Sequence, residues 1–207
     1  MNNNLSVSPR TVAQDVQPTA ISPIPNPDQA YLDATTKIDI SQLNSGSLYN
    51  SITDGTLTVT FSNPVEKLGP VPDGWATWSS PPESESANPD VLYREGNNLT
   101  MILSSPVTIF GFELEPFFFG LQNITVDFYN NNTLLDSIFR MVNGNAGARL
   151  IALESTPPDL PINRAVITAP DQFAIAQARY QMDQGINETL LLLALLFLIL
   201  LLALLLL

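Results

Sequence analysis

Between about residue 31 and residue 180 the apolar positions recur mostly every second residue, the period of a strand with one buried face. Leu57, Val59 and Phe61 share one side of Thr56–Phe61, and Leu99, Met101 and Leu103 share one side of the next run. Phe110, Phe112 and Leu114 alternate after Pro106, which predicts a break between that strand and the one before it. Ile124, Val126 and Phe128 follow Gly120, and Asn130-Asn131-Asn132-Thr133 then supplies turn chemistry, because Asn tolerates positive φ and bonds its own backbone. A hairpin to Leu134–Val142 is expected there. Asn143-Gly144-Asn145-Ala146-Gly147 predicts a second turn, ahead of apolar Leu150–Leu153. Pro157, Pro158 and Pro161 break the chain before Ala165–Thr168 and Phe173–Tyr180. No ten-residue stretch before 181 has helical spacing. Some eight short strands with Pro, Gly and Asn between them predict an all-β fold, an antiparallel two-layer sandwich or jelly roll.

The two ends break this pattern. Residues 1–30 carry prolines at 9, 18, 23, 25 and 27 and few large apolar side chains, so they read as a flexible arm. Ile21, Ile24 and Tyr31 are the residues that could dock on the domain. Residues 181–189 read as a linker. Residues 190–207 are LLLLALLFLILLLALLLL, without one polar side chain. As a helix this run spans about 27 Å, close to the roughly 30 Å of a hydrocarbon core. It predicts a single C-terminal hydrophobic helix that seeks a lipid bilayer or another apolar layer.

Every charged residue lies before that run, with 8 Lys and Arg against 20 Asp and Glu and a net charge of −12. The cations are scattered singly, which argues against nucleic acid and against anionic lipid headgroups, since both need clustered positive charge. There is no Cys, hence no disulfide and no thiolate chemistry, and no His, hence no imidazole base and no Ser-His or Cys-His triad. The first residues, MNNNLSVSPRTVAQDV, lack a positive segment followed by an apolar one, so no secretory signal peptide is expected. The Asn-x-Thr sequons at Asn98, Asn123, Asn131 and Asn187 would matter only on a eukaryotic secretory route.

Candidate chemistry is sparse. Glu113 and Glu115 share a strand face; paired carboxylates could serve a glycoside hydrolase, but alternation on a solvent-facing strand explains them more simply. Asp73, Glu83, Glu85 and Asp90 read as a solvated acidic loop rather than a calcium site, because the spaced ligand pattern is missing. Neither a catalytic constellation nor a metal site nor a cofactor is expected. The long interruption from Gly69 to Asp90 holds Trp75 and Trp78, and loops of that length often carry function. With Tyr93, these indoles could stack on sugar rings; alternatively they plug the open end of the sandwich. Phe117-Phe118-Phe119, between Pro116 and Gly120, must turn at least one ring outward.

Taken in order, Ile52–Val59, Gly74-Trp75-Ala76-Thr77-Trp78, Phe110–Pro116, Val142–Leu150 and Phe173–Gln177 resemble a β-sandwich domain of exported bacterial surface proteins, often found with PEP-CTERM sorting tails. The sorting motif itself is absent, since no Pro-Glu-Pro precedes the apolar tail and no Arg cluster follows it. The resemblance implies a sandwich and a surface or matrix module without assigned chemistry. Together these readings predict a non-enzymatic structural module, held by its C-terminus in a cell or spore envelope layer and facing glycan or protein surfaces. A carbohydrate-binding domain using Trp75, Trp78 and Tyr93 is the second expectation, and a hydrolase the third.

Overall fold

The computed structural model describes residues 21–156 and 159–183. The predicted helix at 190–207, most of the 1–30 arm and most of the 181–189 linker therefore lie outside the described residues. Among the described residues no helix is long and apolar enough to cross a membrane.

The elements in chain order are β1 (Ile21–Ile24), α1 (Gln29–Ala34), β2 (Thr36–Lys37), β3 (Leu48–Thr53), β4 (Thr58–Leu68), β5 (Val91–Arg94), β6 (Asn98–Pro116), β7 (Leu121–Asn130), β8 (Thr133–Asn143), β9 (Arg149–Ser155), β10 (Ile162–Thr168) and β11 (Phe173–Met182). All strand pairings are antiparallel. One layer runs β3-β4-β6-β10-β7-β8 and the other β1-β9-β6-β11-β2, with β5 joining β11 to β4 at the seam. The all-β sandwich expected from the period-two pattern is present.

β6 belongs to both layers. Its first part pairs with β4 and β10 up to Leu103, and its second part, from Val107, pairs with β9, β10 and β11. Pro106 does not end a strand, as expected from the sequence, but sits where β6 changes sheets. No register partner falls between Leu103 and Val107, so the missing N–H costs no ladder bond there.

The core lies between the layers. Leu57, Val59, Phe61, Leu99, Met101, Ile124, Val126 and Phe128 meet Phe110, Phe112, Leu114, Ile151, Leu153, Phe173 and Ile175 from the other side. The first layer has one face open, polar except for residues such as Ile102, Phe139 and Met141, but the second is covered on both faces. Tyr31 and Leu32 of α1 pack on Ile109, Leu150 and Ala152, and the segment 69–90 packs Val71, Trp75 and Trp78 on Ala148, Ala174 and Ala176. Within the described part of the 1–30 stretch, β1 pairs with β9, and Tyr31 just after it is buried. Asp28 caps α1 by accepting from Tyr31 N at 2.9 Å.

Gly111 lets α1 approach. A Cβ there would lie 2.3 Å from Ala152 Cβ and 2.7 Å from Tyr31 Oη. Gly111→Ala should therefore cost about 1–3 kcal/mol, as overpacking does, and Ala152→Gly should restore part of it. Urea midpoints of the two variants and their combination check this; an unchanged midpoint for Gly111→Ala would show that α1 is not seated there.

Candidate functional site

Along the second part of β6 the residues facing away from the core are Ile109, Gly111, Glu113 and Glu115. In register, Glu113 lies beside Leu150 and Ala176, and Glu115 beside Ala174. The alanines leave space above the sheet, and the loop fills it. Trp78 Nε1 donates to Glu113 Oε2 at 2.8 Å, and Trp75 Nε1 donates to Glu115 Oε2 at 2.7 Å. The two carboxylates are two residues apart on a strand, about 7 Å, and two indoles three residues apart in the loop span that gap.

Glu113 and Glu115 are thus not solvent-facing as expected; they are 1% and 0% exposed. The reason is the second cover on this sheet, which the alternation of β6 alone does not reveal. Each carboxylate gathers further donors. Glu115 accepts from Gly147 N at 3.0 Å and from Thr77 Oγ1 at 3.2 Å, while Thr77 Oγ1 accepts from Ala146 N. Glu113 also accepts from Glu85 N. The Glu85 carboxylate takes Arg179 Nε at 2.8 Å and Lys37 Nζ at 2.9 Å, and Arg179 Nη1 donates onward to Thr35 O at 2.8 Å. One chain of bonds therefore links the loop, β6, β11 and the end of α1. A bulge at Gln177, where β11 slips on β6, returns Arg179 to the outer face.

Burial pushes the Glu113 carboxyl up to about 7, against the pull of the Trp78 and Glu85 N–H groups. Burial raises Glu115 as well. Burial also works against Glu85, but the bonds from Arg179 and Lys37 outweigh it and hold that carboxyl below its usual range. The acidic loop is accordingly not simply solvated: Glu85 is paired as described, and Asp90 meets the buried Lys67 at 2.8 Å. Among the described residues no group of His, Cys, Asp or Glu is arranged to hold a metal ion.

Beside Glu115 the surface opens into a cleft of about 540 Å³, lined by Gly74–Thr77, Glu115, Phe117–Phe119 and Gly144. The three phenylalanines are 49, 50 and 72% exposed. Phe117 packs edge-on to Trp75, ring centroids 5.8 Å apart, and to Phe118, at 5.2 Å. The turn they occupy is clamped by the next one. Gly144 N donates to Gly120 O at 3.1 Å, and a Cβ at Gly144 would lie 2.0 Å from Phe118 O.

Of the three residues expected to stack on sugars, Trp75 alone borders this cleft, and it is 6% exposed. Trp78, 5% exposed, is turned to Glu113. Tyr93 packs behind Trp75 at 6.0 Å, with its hydroxyl on Gln172 at 2.7 Å. The indoles therefore serve as a cover over the outer face of a sheet, not as a plug between the layers. The exposed aromatic surface of the cleft is Phe117–Phe119, singled out in the sequence only as a contact patch. A hydrolase would need two carboxylates open to one substrate; here only Glu115 borders the cleft, it is 0% exposed, and its oxygens already serve three donors.

No family model matches the chain, and neither does any curated protein. Among solved structures, a mutant of a family 29 carbohydrate-binding module aligns with 71% of this chain and 91% of its own, at 10% identity and a TM-score of 0.34. A likeness that slight carries no argument.

The Glu113 carboxyl sets a pH dependence. Its value in the folded chain, about 7, lies above the ordinary 4.5. The folded state therefore binds the extra proton, and the associated stability is full below pH 4.5 and is lost as pH rises through 7. Urea midpoints should fall between pH 5 and pH 7.5, and Glu113→Gln should flatten that slope. A slope that survives the substitution would place the titration elsewhere.

Proposed function

We propose that the described domain is a non-catalytic carbohydrate-binding module, held at an envelope or other apolar layer by residues 190–207. The observation that carries the binding part is the cleft: three half-exposed or more exposed phenylalanines stand in one turn around an opening backed by Trp75 and Glu115. Its volume is in the range of small-ligand sites, and its mainly apolar walls with one polar cluster suit a ring that offers a C–H face and a few hydroxyls. The edge-on contacts of Phe117 with Trp75 and Phe118 fix the rings before a ligand arrives, so less ordering entropy is lost on binding. Absence of reaction chemistry in the cleft follows from the occupied Glu115 carboxylate and supports a binding role over a hydrolytic one.

The anchoring part rests on the sequence of 190–207 and its eighteen apolar residues. The path of β11 supports one orientation for such an anchor. β11 starts beside Pro116, next to the phenylalanine turn, and ends beside Val107. Over ten residues that is about 30 Å, so the chain leaves the sandwich at the end away from the cleft. A tether there would present the phenylalanines outward. Placement on a cell or spore surface belongs to the same proposal.

Affinity electrophoresis of the full chain in gels containing soluble β-linked polysaccharides tests the binding part. Retardation is expected in at least one gel, and Phe118→Ala with Phe119→Ala should abolish it while leaving the urea midpoint nearly unchanged, because both rings are largely outside the core. Trp78→Phe should weaken the fold more than retention. No retardation across a panel of neutral and acidic polysaccharides would overturn the reading.

A further inference from the structure

The far edge of the first layer carries a surface that the cleft does not explain. Among the described residues β7 is the one strand that β8 pairs with, and apart from a single bridge from Asn143 to Gly147 the other side of its backbone is unpaired. Natural sheets protect such edges with Pro, Lys, short strands or outward charge. β8 has no Pro, Lys or outward charge; one bulge against β7 and two charges on the inner face are its protection, while Phe139 and Met141 stand outward, 61 and 48% exposed. Its two charges are Asp136 and Arg140, and they lie symmetrically about Ile138, the middle residue of the strand.

We propose that β8 is a self-complementary edge on which a second copy of this chain adds antiparallel, with Ile138 on the two-fold axis. In that register Asp136 of each copy faces Arg140 of the other, and Ser137 faces Phe139. The two Phe139 side chains become diagonal neighbours on the outer face, within the reach of aromatic rings across a ladder. A two-fold contact of this kind closes on itself, since it uses the β8 edge of both copies.

The charges support that register independently of the apolar residues. Arg140 has no carboxylate partner among the described residues: its Nη2 donates to Ile24 O at 3.3 Å, and its Nε finds no acceptor. Burial and the neighbouring cation Arg149 both work against its charge. Asp136 has no cation partner among the described residues either, with Oδ1 accepting from Ser137 N. Each lacks within one copy what the second copy supplies. A half-buried guanidinium without a counter-ion is costly, and pairing it across the axis recovers part of that cost.

The chain holds no cysteine, so single cysteines report the contact directly in the full protein kept in mild detergent. Opposed residues across a ladder have Cβ atoms about 4.5–5.5 Å apart, within reach of a disulfide after small adjustment. Ile138→Cys should therefore form a disulfide-linked dimer under mild oxidation, while Thr56→Cys, exposed in the β3–β4 turn, should not. Because Ile138 is buried, a mixture of Ser137→Cys and Phe139→Cys chains provides the same test on exposed positions. Asp136→Lys should reduce cross-linking to the level of the Thr56→Cys control, and Asp136→Lys with Arg140→Asp should restore it. Association through residues 190–207 would not bring β8 against β8 and would not respond to these charges. Cross-linking no greater than the control overturns the proposal, whether the edge is free or covered by residues 1–20. Cross-linking indifferent to Asp136→Lys, or not restored by the exchange, overturns it as well.

Discussion

A carboxylate taken out of water must be met by hydrogen-bond donors or give up its charge, and β6 places two of them, 1% and 0% exposed, on a sheet face that the 69–90 segment covers. Glu113 and Glu115 can stay there because the 69–90 segment brings Trp78, Trp75, Thr77 and the Glu85 backbone N–H to them. The cover in turn depends on the sheet beneath it. Without the alanines at 174 and 176 the indoles would have no room, and without the carboxylates their N–H groups would be buried unpaired. Loop and sheet hold each other, and the loop's long excursion becomes a third layer over one end of the sandwich.

The cleft is a by-product of that arrangement. Trp75 is fixed by Glu115 below and Tyr93 behind, so it can back the Phe117–Phe119 turn as a rigid wall. Gly147 and Ala146 tie the 143–147 turn to Glu115 and Thr77, and Gly144 of the same turn abuts the Phe118 carbonyl. The residues that shape the cleft are thus positioned by the same two side chains that hold the loop. The proposed glycan contacts are few and aromatic, and no reacting group stands free among them.

The strands and their inward faces could be read from the sequence because period-two alternation is a local signal: Leu57–Phe61, Leu99–Leu103 and Ile124–Phe128 point where alternation puts them. The outer cover of the second layer could not be read that way. Alternation on β6 says that Glu113 and Glu115 face away from the core, and only tertiary structure says what lies there. The signal that was present is on their neighbours: Leu150–Leu153 and Phe173–Ala176 are apolar without interruption, as strands buried on both faces are. Placed in register beside them, the glutamates had to be buried too. Pro106 misled for a similar reason. It excludes a ladder bond at one residue, and a strand that changes sheets at that point needs none. The indoles drew attention as ligands because Trp is rare and the loop long, whereas the cleft's exposed rings are phenylalanines in a turn too short to signal a site.

The central claim is that both indole N–H groups are buried donors to carboxylates on β6. Hydrogen exchange at the two indole nitrogens, followed by NMR on the intact chain in detergent, tests it most directly. Both N–H signals should persist orders of magnitude longer than those of free tryptophan, and Glu113→Ala should release Trp78 more than Trp75. Two indoles that exchange as fast as free tryptophan would contradict the account.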